Sequence, residues 1–412
     1  MKAATAILAQ EKASFARVEP PCPYFGTCGG CAMQDLAYED QLRLKGERIR
    51  RALAPLGDYP PCEVIGLEEP WRYRNKAELT FGGSSGALTL GYHAARSFWR
   101  VVDLEDCLLL PEPMMRAARE GRTLASATGL PAYQPKTHQG FFRYLLVRGS
   151  RLTGKVMACF ITTSGLAQAT HGGTSPREVM EGLAQQLMAR QPSVSSVYWG
   201  ITDRLADIAL PETLTHLRGD AYLDDQVGPF RLTLHPLSFI QPSTVQADRM
   251  CTLLARELGQ RREAIAWDLY CGIGLISLYL SSHVRSVYAI DVEPHHLELA
   301  ALNASSNQVS NVEFRLGSVE ALLRDRRFWL QDAKPEIIVV DPPRAGLHPD
   351  VCASLLAARP SRIAYFSCNV QSLAHDLQIL LTSFPRYRLS LLQPFDMFPQ
   401  TNHVEVLAIL ER

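Results

Sequence analysis

The 412-residue chain has no run of 18 uncharged apolar residues, so nothing in it reads as a bilayer-spanning helix. Its opening, MKAATAILAQEKASFARVEP, lacks the basic start and long apolar stretch of a secretory leader. It also lacks net charge: 42 Lys and Arg balance 42 Asp and Glu. That balance excludes a polyanion binder driven by a charged tail, but leaves room for a local basic groove. There is no internal repeat and no low-complexity segment, and 47% hydrophobic residues exclude global disorder. These absences suggest a cytoplasmic protein, in which ten cysteines are reduced thiols, metal ligands or catalytic groups. The length suits two or three domains.

Three blocks follow from the texture. Residues 1–60 hold the densest cysteine cluster and then a polar helical stretch. Residues 61–240 read as a β-rich domain of short runs such as NKAELTFGG (75–83) and ALTLGYH (87–93), with one helix at 176–190. Residues 241–412 alternate apolar runs with helical periods: AIAWDLY (264–270), SVYAIDV (286–292), EIIVVD (336–341) and RIAYFSC (362–368). Such alternation predicts βαβ units on a parallel sheet, an α/β Rossmann-like domain. The last two runs have no helix between them and predict an antiparallel pair at one sheet edge.

The first parallel strand runs into Asp268-Leu-Tyr-Cys-Gly272-Ile-Gly274 and then a helix. Gly272 and Gly274 let backbone approach a ligand closely. Asp291 ends the next strand, 17 residues beyond Gly274, where a carboxylate meets a ribose. The ligand implied is an adenosine-containing cofactor. Ser277 interrupts a full G-x-G-x-x-G, which disfavours a dinucleotide and favours S-adenosylmethionine. A tight βα turn without a ligand is the plainer alternative.

Asp341-Pro342-Pro343-Arg344 and Cys368-Asn369 end two later strands, where open α/β sheets bind ligands. Pro-Pro makes a stiff shelf against which a flat base can rest. A thiol there faces the cleft, although most buried cysteines are inert. The chemistry that uses this set is methylation at carbon 5 of a pyrimidine. A thiolate adding to carbon 6 activates carbon 5, and a base must then remove the carbon-5 proton. Glu405, near the start of the last apolar run, is the candidate base.

Cys22, Cys28 and Cys31 form C-x5-C-x2-C among glycines, and the fourth thiol of a ligand set is assigned to Cys107. This spacing suits a 4Fe–4S cluster better than the paired knuckles of zinc. Cys62, Cys159, Cys251, Cys271 and Cys352 read as ordinary buried thiols.

Taken together, CPYFGTCGGCAMQ (22–34), FWRVVDLEDC (98–107), SFIQ (238–241), DLYCGIG (268–274), DPPRAGL (341–347), SCN (367–369) and DMFPQTNHVE (396–405) resemble the S-adenosylmethionine-dependent RNA 5-methyluridine methyltransferases. The resemblance implies Cys368 as nucleophile and Glu405 as base. It implies a cluster on Cys22, Cys28, Cys31 and Cys107. It also implies that Gln241, Tyr270, Asp291 and Asp341 contact the cofactor or the target base. Departures are Asp291 where Glu is common, Val370 for a common Pro and Gln400 for a frequent His. With 21 residues before Cys22, no room is expected for the extra N-terminal RNA-binding barrel of some relatives.

The partner implied is a ribosomal or transfer RNA, with no membrane and a monomeric chain. Its grip is expected from LRLKGERIRR (42–51), WRYRNK (71–76) and FFRYLLVRGSRLTGK (141–155), where aromatics interleave with basic residues. Three rivals are an exocyclic-nitrogen methyltransferase, which needs no Cys, a non-catalytic iron–sulfur RNA-binding protein, and a nicotinamide oxidoreductase.

Overall fold

The computed structural model describes residues 8, 10–57, 59, 63–165, 175–324, 334–383 and 386–412. Two compact units emerge: residues 1–37, 69–226 and 233–237 in one, and 38–68, 227–232 and 238–412 in the other. The segment 1–60 is therefore divided. Its cysteine stretch goes with the β-rich unit, and its helix α1 (Tyr38–Leu53) goes with the parallel sheet. Helix α1 buries Leu44, Ile49 and Leu53 on one face, with Glu39 and Asp40 in its first turn and Arg50 and Arg51 in its last.

The β-rich unit is a six-stranded sheet in the order β2-β1-β3-β4-β5-β6. Its strands are β1 (Lys76–Ser84), β2 (Ala87–Gly91), β3 (Phe142–Gly149), β4 (Val156–Thr162), β5 (Val194–Ile201) and β6 (Thr213–Gly219). Neighbours run antiparallel except β4 and β5, which are parallel and joined through a helix. That helix, α3 (Pro176–Arg190), spans the residues expected from the sequence and begins at a capping box between Ser175 and Glu178. Helix α2 (Glu112–Ala127) packs on β2, β3 and β4. Strands β7 (Leu223–Val227) and β8 (Phe230–Leu234) form a small separate pair.

The second unit holds a seven-stranded sheet in the order β11-β10-β9-β12-β13-β15-β14. In chain order its elements are α4 (Thr244–Leu258), β9 (Arg261–Leu269), α5 (Leu275–Ser281), β10 (Val284–Asp291), α6 (Pro294–Ser306), β11 (Val312–Leu316) and α7 (Val319–Arg324). They continue with β12 (Ile337–Val340), α8 (Pro349–Ala358), β13 (Arg362–Ser367), α9 (Val370–Thr382), β14 (Arg388–Phe395) and β15 (Glu405–Glu411). Strands β9 to β13 are parallel, and β15 and β14 pair antiparallel at the edge, as the missing helix between them predicts.

Strand alternation builds both faces of this sheet. Trp267, Ile338, Val340, Ile363, Tyr365 and Val406 point to a core closed by α1, α8 and α9. Ala266, Ile337, Val339, Ala364, Phe366 and Leu407 point to the opposite core, closed by α4 and α5. Strand order reverses between β9 and β12, which opens a crevice at their carboxyl ends. Among the described residues, no helix is long and apolar enough to cross a membrane.

Candidate active site and cysteine-lined cavity

A cleft opens at that crevice. Gln241, Tyr270, Cys271, Gly272, Ile273, Ile276 and Asp341 line it, together with Phe239, Cys251 and Phe366. Its largely apolar wall with a few polar groups suits a small organic ligand. The turn after β9 is held in left-handed backbone: Tyr270 has φ 67°, Gly272 φ 53° and Gly274 φ 85°. At Gly274 a side chain would also meet the methyl of Ala300 at 3.1 Å, so only glycine lets α5 start there.

Asp291 ends β10 and fixes this turn. One of its oxygens accepts the Gly272 amide at 2.8 Å, and the other accepts the Glu293 amide at 2.9 Å and faces His296 Nδ1 at 3.3 Å. Burial opposes its charge, but His296 and the two amides outweigh it and hold the carboxyl below its ordinary range. His296 carried no sequence signal, because its role depends on α6 turning back over the strand end. Asp268 behaves oppositely. It is fully buried, accepts from Ser277 Oγ at 2.5 Å, and has a second oxygen with no hydrogen-bond partner. Burial, and then the charge of Asp341, push it up to about 7.

The other strand ends bring the reactive groups together. Cys368 follows β13 directly, Asp341 follows β12 and Glu405 begins β15. Glu405 is 1% exposed, with one oxygen unpartnered. Burial and then the charge of Asp341 raise it well above the carboxylate range, against the pull of Arg344. Burial pushes Asp341 up to about 7. Burial, Glu405 and Asp341 all raise the Cys368 thiol, and Arg344 again opposes. A thiol, two carboxyls and a guanidinium thus share one electrostatic environment.

The loop that carries Arg344 is anchored from behind. Asn369 Nδ2 donates to the Arg344 carbonyl at 2.8 Å, and Arg344 Nη2 lies 3.3 Å from His403 Nδ1. Asp376 accepts the Leu347 amide at 2.8 Å and the Tyr365 hydroxyl at 2.7 Å, and it faces Gly346, where an added Cβ would stand 2.7 Å from its Oδ2. Gly346 is left-handed (φ 87°) and belongs to DPPRAGL, whereas Asp376 stands outside every motif.

In the β-rich unit, Cys22, Cys28, Cys31 and Cys107 all line one small cavity, with Tyr24, Phe25 and Tyr92. Burial pushes Cys31 up to about 12 and Cys107 up to about 11. Glycine is required between the last two ligand candidates of the motif: a Cβ at Gly29 would stand 2.8 Å from the His93 carbonyl, and one at Gly30 would stand 3.1 Å from the Tyr92 ring. Among the described residues, no three or more His, Cys, Asp or Glu are grouped as ligands of one metal ion. Of the cysteines expected to be ordinary, Cys159 and Cys352 are buried in cores, while Cys251 and Cys271 are buried but reach the cleft wall. Cys62 lies outside the described residues.

All three expected RNA-gripping runs are corrected in part by the structure. Phe142–Gly149 is a central strand, with Arg143 2% and Arg148 0% exposed, while Arg151 and Lys155 of the same run are exposed. The Arg143 guanidinium donates to the carbonyls of Thr202 and Arg204 at 3.0 and 2.7 Å, so it braces a loop instead of meeting phosphate. In WRYRNK, Tyr73 and Asn75 are buried and Arg72 pairs with Asp106 at 2.6 Å. In the run at 42–51, Lys45 is wholly buried against Asp396 at 2.6 Å. Alternation of aromatic and basic residues describes an inward-facing strand as well as a surface, and sequence alone does not separate them.

The strand order, the switch-point cleft and an acidic end on β10 define a doubly wound α/β fold with its ligand crevice at the strand reversal. Comparison with known proteins narrows this. A family profile described as "tRNA (Uracil-5-)-methyltransferase" matches residues 225–412. An uncharacterized RNA methyltransferase of Halalkalibacterium halodurans is 32% identical over 408 residues, covering 98% of this chain and 86% of that one. One of Oceanobacillus iheyensis is 33% identical over 407 residues, covering 98% and 85%. The crystal structure of Pyrococcus abyssi tRNA (uracil-54, C5)-methyltransferase with S-adenosyl-L-homocysteine superposes with a TM-score of 0.75. It is 26% identical and covers 96% of this chain and 85% of that one.

The chain belongs to the RNA (uracil-C5) methyltransferase family. Its activity is transfer of a methyl group from S-adenosylmethionine to carbon 5 of uracil in RNA.

Proposed function

We propose that Cys368 attacks carbon 6 of the target uracil and that Glu405 is the base that ends the reaction. Cys368 adds to carbon 6 as the thiolate, and the electron pair moves to carbon 5. Carbon 5 then takes the methyl group from the sulfonium donor, leaving S-adenosylhomocysteine. Glu405 removes the carbon-5 proton, the double bond re-forms, and the carbon–sulfur bond to Cys368 breaks. What supports this most is the shared environment of Cys368, Glu405 and Asp341 at the carboxyl ends of β12 and β13. Burial makes Glu405 a stronger base than a solvated carboxylate. Arg344 is the cation that favours the thiolate.

In this reading Gln241, Tyr270, Gly272, Gly274 and Asp291 hold the donor. The Pro342–Pro343 shelf and Phe239, 58% exposed at the cleft, receive the flat base after it leaves its stack. The RNA is a transfer or ribosomal RNA, and the chain works as a monomer in the cytoplasm.

Cys22, Cys28, Cys31 and Cys107 fit a 4Fe–4S cluster. Four thiols line one cavity, and glycines keep the motif's backbone close to its neighbours. When bound, such a cluster supplies a structural cross-link, since thiolate addition to uracil requires no electron transfer.

Glu405→Gln tests the base: it should attack and methylate, then accumulate a protein–RNA adduct stable on denaturing gels. Release of methylated RNA at the wild-type rate, with no adduct, would exclude Glu405.

A further inference from the structure

Between β2 and α2 the chain makes a short hairpin whose tip carries Phe98 and Trp99, 61% and 62% exposed. Two adjacent aromatics left this open on a folded surface need an explanation, because their burial elsewhere would be favourable. The tip is not loosely held. His93 bridges to Val101, the Ala94 amide donates to the Arg100 carbonyl at 2.7 Å, and the Arg100 amide donates to Ser97 Oγ at 3.1 Å. The cysteine-rich segment clamps its base: Gly29 and Ala95 amides donate to the carbonyls of His93 and Thr27 at 2.9 and 2.8 Å.

The surroundings are cationic. Lys136 Nζ stands 5.0 Å from the Trp99 ring centre, and Arg96 and Arg100 on the tip are exposed. The nearby acid, Asp207, is already paired with His93 at 3.1 Å and with the Tyr144 hydroxyl.

We propose that the Phe98–Trp99 tip is a stacking platform for unpaired bases of the RNA substrate, with Lys136, Arg96 and Arg100 meeting the flanking phosphates. This rests on the RNA methyltransferase reading above. Exposed, rigid aromatic faces bordered by basic side chains match what single-stranded RNA offers: flat bases joined by a charged backbone. The clamp from residues 27–29 gives the cysteine segment a second consequence, since whatever orders that segment orders the tip.

The test is binding of a fluorescein-labelled oligouridine to the full chain by anisotropy, beside transfer of methyl groups to RNA. The Phe98→Ala/Trp99→Ala variant should bind on the order of 10- to 100-fold more weakly, with unchanged thermal unfolding and S-adenosylmethionine binding. Trp99→Phe should keep most of the affinity, because the ring face is what counts. Lys136→Gln should lower the slope of log affinity against log salt by about 1.

If the wild type binds and methylates RNA and the double variant binds equally well, the platform is overturned and the methyltransferase reading stands. If the wild type neither binds nor methylates RNA, both are overturned. A wild-type dimer that the double variant converts to monomer, with RNA affinity unchanged, would mark the tip as a self-association surface and also overturn the proposal.

Discussion

Arg344 lowers the Cys368 thiol against burial, Glu405 and Asp341, which all raise it. Removing it should therefore leave the thiol harder to ionise. The pH at which iodoacetamide alkylates Cys368 at half its maximal rate should move upward in Arg344→Ala, and an unmoved profile would detach Arg344 from Cys368. Asp268 makes a prediction about stability. Its carboxyl goes from an ordinary 3.8 to about 7 on folding, mainly through burial. A raised folded value means the folded state holds the proton more tightly. The stability it adds is complete below about pH 4 and is lost as pH rises through about 7. Three units correspond to about 4 kcal/mol. Asp268→Asn should gain about that much relative to wild type between pH 4 and pH 8 in urea unfolding of the ligand-free chain.

At the scale of elements, α1 is tied to the segment that leads into β15. Lys45 Nζ meets Asp396 Oδ1 at 2.6 Å and the Phe398 carbonyl at 3.2 Å, with both charged side chains wholly buried. Gln41 Nε2 donates to Gln400 Oε1 at 2.9 Å, and the Gln400 amide donates back to Gln41 Oε1 at 3.1 Å. Gln400 sits at φ 68°, a left-handed conformation held by this exchange. Lys45→Met should destabilise by about 3–5 kcal/mol, because Asp396 is left buried and unpaired. Lys45→Met with Asp396→Leu should recover much of the loss, and a double variant no better than the single one would contradict this account. None of the pairing is visible in the sequence, where Lys45 reads as one more cation of a basic run and Asp396 as the first residue of DMFPQTNHVE.

For the whole molecule, what could be read in advance was what depends on short-range pattern. The βα alternation, the edge pair β14–β15, the helix at 176–190 and the strand-end positions of Asp291, Asp341 and Cys368 all follow from periodicity and local turn chemistry. The Cys22–Cys31 spacing and Cys107 could be grouped because the thiols are chemically distinctive. What could not be read depends on packing between distant segments: His296 on Asp291, Asp376 behind Gly346, and the inward direction of Arg143 and Arg148. The exposed Phe98–Trp99 pair lay inside a motif used only for its cysteine.

The cysteine cavity makes its own prediction. Protein purified without oxygen should carry about four irons per chain, and Cys28→Ala should lose iron and soluble protein together. Stoichiometric zinc without iron would contradict the cluster.

The attack by Cys368 is tested most directly by trapping. RNA bearing 5-fluorouridine has no carbon-5 proton to give up, so a chain that adds to carbon 6 and transfers its methyl group cannot release the product. Incubated with such RNA and S-adenosylmethionine, the wild type should form a covalent complex whose cross-linked peptide, read by mass spectrometry, carries the nucleotide on Cys368. Cys368→Ala should form none. A complex attached at another residue, or methylation of ordinary RNA by Cys368→Ala, would contradict the account.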